Sequence, residues 1–115
     1  MTQGQELSDQ VRGKAVDFIW DEGPTKGKTH RHRFHEDGTV TWEALASGAP
    51  TSKSDVQDRP EYMASKINDD VCLVSYLSRS GYTLTVALNF VDHSIDGVAS
   101  NDTLWIPVGG RFLMV

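Results

Sequence analysis

The stretch Lys66-Ile-Asn-Asp-Asp70-Val-Cys-Leu-Val-Ser75-Tyr-Leu-Ser-Arg-Ser80-Gly-Tyr-Thr-Leu-Thr85-Val-Ala-Leu-Asn-Phe90-Val-Asp92 consists of two β-rich runs around a Ser78-Arg79-Ser80-Gly81 turn. This is the pattern of a long antiparallel hairpin. Its second arm alternates: Tyr82, Leu84, Val86, Leu88 and Phe90 share one face, and Thr83, Thr85, Ala87 and Asn89 share the other, so one face is buried and the other is wet. A two-residue loop at Arg79 and Ser80 would set Leu77 opposite Tyr82, Ser75 opposite Leu84 and Leu73 opposite Val86, which makes the apolar faces coincide. In that register Ser75 is the one polar residue turned inward, and Cys72 points away from the Leu73 face.

Outward from the hairpin the chain continues in the same idiom. Val16 to Asp21 alternates Val, Phe and Trp against Asp and Ile, and Gly23-Pro24 ends that strand. Lys28 to His35 and Val40 to Ala46 flank an Asp37-Gly38 tight turn. Ser47 to Pro60, rich in Gly, Ala, Pro, Ser and Asp, reads as the longest loop. Glu61 to Ile67 is a further strand, and the chain turns at Asn68-Asp69-Asp70 and again at Gly97. Gly97 to Ser100, Thr103 to Val108 and Arg111 to Val115 complete the sheet, with Gly109-Gly110 as a bulge or corner. Leu7 to Lys14, with Ser8 as N-cap and Gly13 as stop, predicts a short helix. About eight short strands at roughly ten-residue spacing define an all-β, antiparallel, up-and-down barrel. Such a barrel removes its own edges and can hold side chains or one small ligand. Residues 1–14 are assigned to an N-terminal tail or short helix and residues 15–115 to the barrel domain.

With 115 residues, the chain has room for one core. Its 38% hydrophobic and 23% charged residues are those of a globular protein, and the net charge of -5 argues against nucleic acid or an anionic membrane as partner. No apolar run approaches the roughly 20 residues that span a bilayer, and Met1 to Gln10 carries no hydrophobic signal segment. A cytoplasmic location is therefore the expectation. Cys72, the single cysteine, excludes a disulfide framework and a cysteine-rich metal site; a structural thiol is its simplest role.

Tyr62, Lys66-Ile-Asn-Asp-Asp70, Val74-Ser75-Tyr76, the Ser/Gly turn and Leu88-Asn89-Phe90 together resemble the small calycin-like barrels of the MoaF family and, more distantly, bacterial phenolic acid decarboxylases. The resemblance covers the middle and C-terminal thirds of the chain. It implies a calycin or lipocalin-like barrel with an interior pocket. The family pattern has Val-Ser-Trp where this chain has Val-Ser-Tyr76. The decarboxylases also place a glutamate after that aromatic, an arginine after the third strand and two tyrosines on the first strand. Here the glutamate position falls at Ser78, Ser47 to Pro60 has no matching Gly-Gly-Arg-Trp segment, and the first strand offers Phe18 and Trp20. The resemblance thus implies the fold and not the decarboxylase chemistry. MoaF is associated with molybdenum-cofactor biosynthesis, and no motif here bears on that link.

His30, His32 and His35 form the densest group of candidate ligands. On a strand, His30 and His32 share the face of Phe34, while Arg31, Arg33 and His35 share the other. If Phe34 points inward, both histidines enter the barrel. A His-x-His pair can chelate a transition metal given a third ligand such as His93 or Glu43. It can equally serve as a pocket base or hydrogen-bonding group, or lie on a solvated strand. Arg31 and Arg33 are candidates for an anion clamp or for structural ion pairs. Trp20, Trp42, Tyr62, Tyr82 and Trp105 are the large amphipathic side chains, suited either to a flat ligand or to filling the core. No Gly-x-Ser-x-Gly, P-loop, dinucleotide fingerprint or His-Glu-x-x-His occurs.

These readings converge on a barrel that binds a small apolar or aromatic molecule, with Trp20, His32, Phe34, Trp42, Ser75, Tyr82 and Leu84 in the wall. Neither a metal nor a cofactor is implied, no catalytic residue stands out, and a homodimer is compatible with the sequence. Two alternatives stay open: a lyase-like or isomerase-like enzyme on the same barrel, and a filled barrel acting through its surface.

Overall fold

The computed structural model describes residues 7–46, 49–50, 59–78 and 80–115. Among these residues nine strands follow one another: β1 (Lys14–Glu22), β2 (Thr29–Phe34), β3 (Val40–Ala46), the two-residue β4 (Ala49–Pro50), β5 (Tyr62–Asn68), β6 (Val71–Leu77), β7 (Thr83–Asn89), β8 (Ser94–Ser100) and β9 (Trp105–Met114). All pairings are antiparallel and the sheet order is β4-β3-β2-β1-β9-β8-β7-β6-β5. The architecture is all-β and barrel-like, a meander whose two ends are joined by β1 pairing with β9. The Ser47 to Pro60 loop falls largely outside the described residues.

The sheet curls until the residues that lead into β3 and β5 meet. A single bridge joins Thr39 to Glu61, flanked by Val40 N–H to Pro60 O at 2.9 Å and Tyr62 N–H to Gly38 O at 3.0 Å. From that bridge the two antiparallel strands run in opposite directions, and the far end of β3 pairs with β4 through Leu45–Pro50 and Ala46–Ala49. Alternation sends Val16, Phe18 and Trp20 of β1 and His32 and Phe34 of β2 inward, and the opposite face of β1 and β2 carries the bidentate Arg31–Asp17 pair at 2.7 and 3.1 Å. Arg31 therefore takes the structural role rather than that of an anion clamp.

The expected helix over Leu7–Lys14 does not form. Single turns are closed there, by Arg12 N–H to Ser8 O at 3.0 Å and Lys14 N–H to Val11 O at 2.9 Å, but no helix continues, because Gly13, at φ 76°, donates its N–H to Phe34 O and sends the chain into β1. A helix this short cannot offset its nucleation cost. Ser8 N–H bonds Ala64 O at 2.9 Å, and Val11 is fully buried, so the segment plugs the lower end of the barrel.

The hairpin register also differs from expectation. Tyr76 pairs with Leu84, Val74 with Val86 and Cys72 with Leu88. Ser78 N–H bonds Tyr82 O at 2.8 Å, and Gly81 takes φ 94°, so the connection is one residue longer than the two-residue loop and needs a left-handed residue at its end. One residue of slip reverses the whole of β6. Cys72, Val74 and Tyr76 are buried; Leu77 is exposed and Ser75 is turned outward, bonded to Thr85 Oγ1 at 2.8 Å. The inward face expected for Leu84, Val86 and Leu88 is the observed one, whereas that expected for Leu73 and Ser75 is not. Cys72 lies inside the core, where burial pushes its thiol pKa up.

The glycines were also placed differently by sequence. Gly97 is not a turn but sits within β8, where any Cβ would collide with the Thr85 carbonyl; the turn lies at the preceding residues, with His93 at φ 61°. Gly109 and Gly110 stay inside a continuous β9, and the bulge lies opposite them in β1, between Trp20 and Glu22. Gly97 and Gly110 allow the close backbone approach that a tightly curled sheet requires.

Candidate functional site

Strand direction places Trp20, His30, Trp42, Tyr82, Leu84, Ala99 and Ile106 toward the open end of the barrel. There they enclose a cavity of about 310 Å³, at the small end of ligand pockets. Its wall is mostly apolar, with Val108 deeper and Pro24, Thr25, Ser78 and Ser80 at the rim. Below it, Phe18, Phe34, Val74, Leu88, Ile95 and Phe112 are packed with essentially no exposure.

The boundary between cavity and filled core is polar. His32 and Tyr76 both reach the cavity and are joined by a 2.7 Å hydrogen bond between Nε2 and the hydroxyl. Their strands, β2 and β6, are not neighbours in the sheet, so this bond crosses the barrel. The His32 ring is stacked on Phe18, with centroids 4.1 Å apart, and faces Trp42 at 6.5 Å on the neighbouring strand. Burial lowers the His32 pKa from 6.5 to about 3, with nearby His30 adding to the shift and the His30 backbone opposing it. Burial likewise raises the Tyr76 phenol. At neutral pH both groups are uncharged.

His30 stands one step higher on β2. Its Nδ1 accepts a hydrogen bond from Trp20 Nε1–H at 3.1 Å, and its ring lies 4.8 Å from that of Trp42. Desolvation, then the charge of Lys28, lowers its pKa. Phe34 does point inward, and both histidines accompany it into the barrel. His35 is turned elsewhere and meets Thr41 Oγ1 at 3.0 Å.

Of the residues that sequence reading set in the wall, the structure brings Trp20, His32, Trp42, Tyr82 and Leu84 together around the cavity. Phe34 lies below it in the filled core, where its ring packs edge-on against Tyr62 at 5.1 Å, and Ser75 is on the outer face. His93 packs on Phe112, and Glu43 pairs in register with outward-facing Arg31, so neither joins the His30–His32 pair. Among the described residues no group of three His, Cys, Asp or Glu side chains converges. Sequence reading missed Tyr76, because the assumed hairpin turn was one residue short. The left-handed preference of Gly81 was the available signal for the longer turn.

No protein-family model and no curated protein matches the chain. Among solved structures, it is similar to a crystal structure described as that of a putative beta-lactamase from Burkholderia vietnamiensis. The TM-score is 0.71 at 14% sequence identity, over 96% of this chain and 100% of that one. At this identity the likeness concerns the fold alone, an all-β, barrel-like architecture. Among the described residues no helix is long and apolar enough to cross a membrane.

Proposed function

We propose that this chain binds a small, largely apolar or aromatic molecule in the open half of a calycin-like barrel. The observation that carries this reading is the cavity of about 310 Å³, walled by Trp20, Trp42, Tyr82, Leu84 and Ile106 and floored by the neutral His32–Tyr76 pair. A mostly apolar concavity with a few polar groups at one end is the usual form of a small-molecule site. The resemblance of the hairpin motifs to MoaF-like barrels fits this reading, and with it we place the protein in the cytoplasm. Native mass spectrometry of protein purified from its own cells should find a retained small molecule. Titration with a small aromatic compound should change tryptophan fluorescence. Failure of a panel of bicyclic aromatics to bind by calorimetry would remove the proposal.

The His32–Tyr76 contact also invites an enzymatic reading, since it brings two titratable groups within hydrogen-bond reach. Their protonation behaviour favours binding over catalysis. A histidine with a pKa of about 3 is a poor base at neutral pH, and a phenol with a raised pKa is a poor acid. A serine-hydrolase reading, suggested by the description of the structural neighbour, finds little support at this cavity. Ser78 and Ser80 are hydrogen-bonded to one another at 3.1 Å, no described base reaches either, and the chain contains no Ser-x-x-Lys sequence.

A further inference from the structure

The outer surface of the barrel changes character from one side to the other. On β1 to β3, alternation turns charges outward: Asp17, Arg31 and Glu43 stand side by side in register, and Arg31 is ion-paired with Asp17 at 2.7 Å. An antiparallel sheet face left to water is ordinarily polar in this way. On β6 to β8 the pattern is different. Burial of Tyr76, Val86 and Ile95 turns their neighbours outward, and register aligns Ser75, Thr85 and Val98 across the middle of this outer face. The row above is Leu77, Thr83 and Ser100, and the row below is Leu73, Ala87 and Asp96. Asp96 is the single charge in these three rows and stands at a corner. Leu77 is 61% exposed at the opposite corner, and Pro107 and Trp105 of β9 continue the upper two rows at the margin.

Charge, chemistry and area together select the occupant of this face. Each copy of the chain carries a net charge of -5, so two copies repel unless they meet through a surface that brings no like charges together. The three rows are such a surface, and charge depletion with retained aliphatic side chains marks the core of an interface. A two-fold contact also sets the residues near its axis against their own copies. Aliphatic side chains tolerate that arrangement, and a hydroxyl both donates and accepts, so Thr85 can bond another Thr85; an acid or a base facing itself repels. The four strands β6 to β9 at ~4.8 Å spacing are ~19 Å wide, and their outward residues cover ~24 Å along the strands, which gives roughly 450 Å² per copy and 900 Å² in all. That exceeds most crystal-packing contacts and is the size of a weak, reversible assembly.

We propose that the outer face of β6, β7 and β8 is a two-fold interface through which two copies of this chain pair as a weak, reversible dimer, with Thr85 near the axis. The same strands turn Tyr76 and Leu84 toward the cavity, so the contact uses the opposite face of the sheet. The proposal therefore goes beyond the binding reading above and does not depend on it.

The test is sedimentation velocity of the intact chain from about 5 to about 500 µM, where a reversible monomer–dimer equilibrium should appear with a dissociation constant of roughly 10–100 µM. Thr85→Lys sets two like charges against each other near the axis and should raise that constant by about tenfold or more. Val98→Lys should do the same, and it serves if loss of the Ser75–Thr85 hydroxyl bond disturbs the fold of the first variant. Thr29→Lys makes the same change of charge on the outer face of β2 and should alter association by less than about twofold. A mixture of Thr85→Lys and Thr85→Asp should associate more strongly than either variant alone, because opposite charges then meet across the axis. A mixture no more associated than its components would overturn the two-fold placement. A chain that stays monomeric throughout would overturn the proposal, as would a dimer that neither Thr85→Lys nor Val98→Lys weakens. A monomer that floats with phosphatidylcholine vesicles would also overturn it and give the face to a lipid surface.

Discussion

The two ends of this barrel are built from the same alternating strands and differ in what closes them. At the lower end, β3 and β5 are bridged through Thr39 and Glu61, the 7–13 segment is tied to β5 at Ala64, and Phe34, Val74, Leu88, Ile95 and Phe112 are buried in one core cluster. At the upper end equally apolar side chains, Trp20, Leu84, Ile106 and Val108, face the cavity. Filling makes one end a source of stability, because close-packed apolar contacts are lost when a side chain is removed. The other end arranges apolar side chains around a cavity, and that surface is available for a ligand to cover. The His32–Tyr76 bond spans the barrel between these regimes, and variants on either side of it should separate stability from binding.

The largest effect is expected at the boundary itself. His32 is held neutral in the native state, so between pH 6.5 and about 3 the unfolded chain binds more protons than the folded one. Stability is fully present above pH 6.5 and declines as the pH falls toward about 3, by roughly 4–5 kcal/mol if the native state persists over that whole range. The lowered pKa of His30 acts in the same direction. Urea denaturation at a series of pH values should show this decline, and His32→Phe, which keeps a ring against Phe18 but cannot titrate, should flatten it. An unchanged slope in that variant would mean that His32 is not buried in neutral form and that the boundary is wet.

Nearly as large is the effect of Phe34→Ala in the filled half, about 3–5 kcal/mol of stability, read as a lower denaturation midpoint at constant slope. Ligand affinity per folded molecule should not change, because Phe34 lies beneath the cavity rather than in its wall. Trp42→Ala should do the reverse. Trp42 is 39% exposed at the cavity mouth, so stability falls less than for Phe34→Ala, while binding of an aromatic probe weakens by about 1–3 kcal/mol through lost burial and stacking. If both variants lost stability and affinity in parallel, the two ends would be one cooperative core and the division drawn above would fail.

How far the sequence revealed this division depends on the strand. In β1 and β2 the large apolar residues fall mainly in one phase, with Ile19 as the exception opposed by Asp17 and Asp21, so Val16, Phe18, Trp20, His32 and Phe34 could be assigned inward from alternation alone, and the histidine pair followed. In β6 both phases are apolar: Cys72, Val74 and Tyr76 compete with Val71, Leu73 and Leu77, and pattern cannot choose between them. The choice passes to the turn, where one residue of length decides which face is inside. That is why Tyr76, the partner of His32, was not legible and Ser75 was misplaced. Phe34 shows a different limit, since alternation tells inside from outside but not how far down the barrel a side chain sits. The cavity was not legible either, because it too depends on the height at which each inward side chain sits.

The smallest expected effect tests whether the open end functions through its interior. Trp105 lies at that end, at the start of β9 and paired with Ser100, but its alternation puts it on the outer face, where it is 68% exposed. It does not border the cavity, whereas its neighbour Ile106 does. Trp105→Ala should therefore change stability by no more than about 0.5 kcal/mol, as for most exposed sites, and leave affinity for an aromatic probe within twofold. The same variant removes one of three tryptophans, and the fluorescence change on binding should persist because it arises at Trp20 and Trp42. If instead the response disappeared with Trp105 while Trp42→Ala left it intact, the probe would be binding the outer wall of β8 and β9. The comparison would then be between an inside and an outside surface rather than between a filled and an open end.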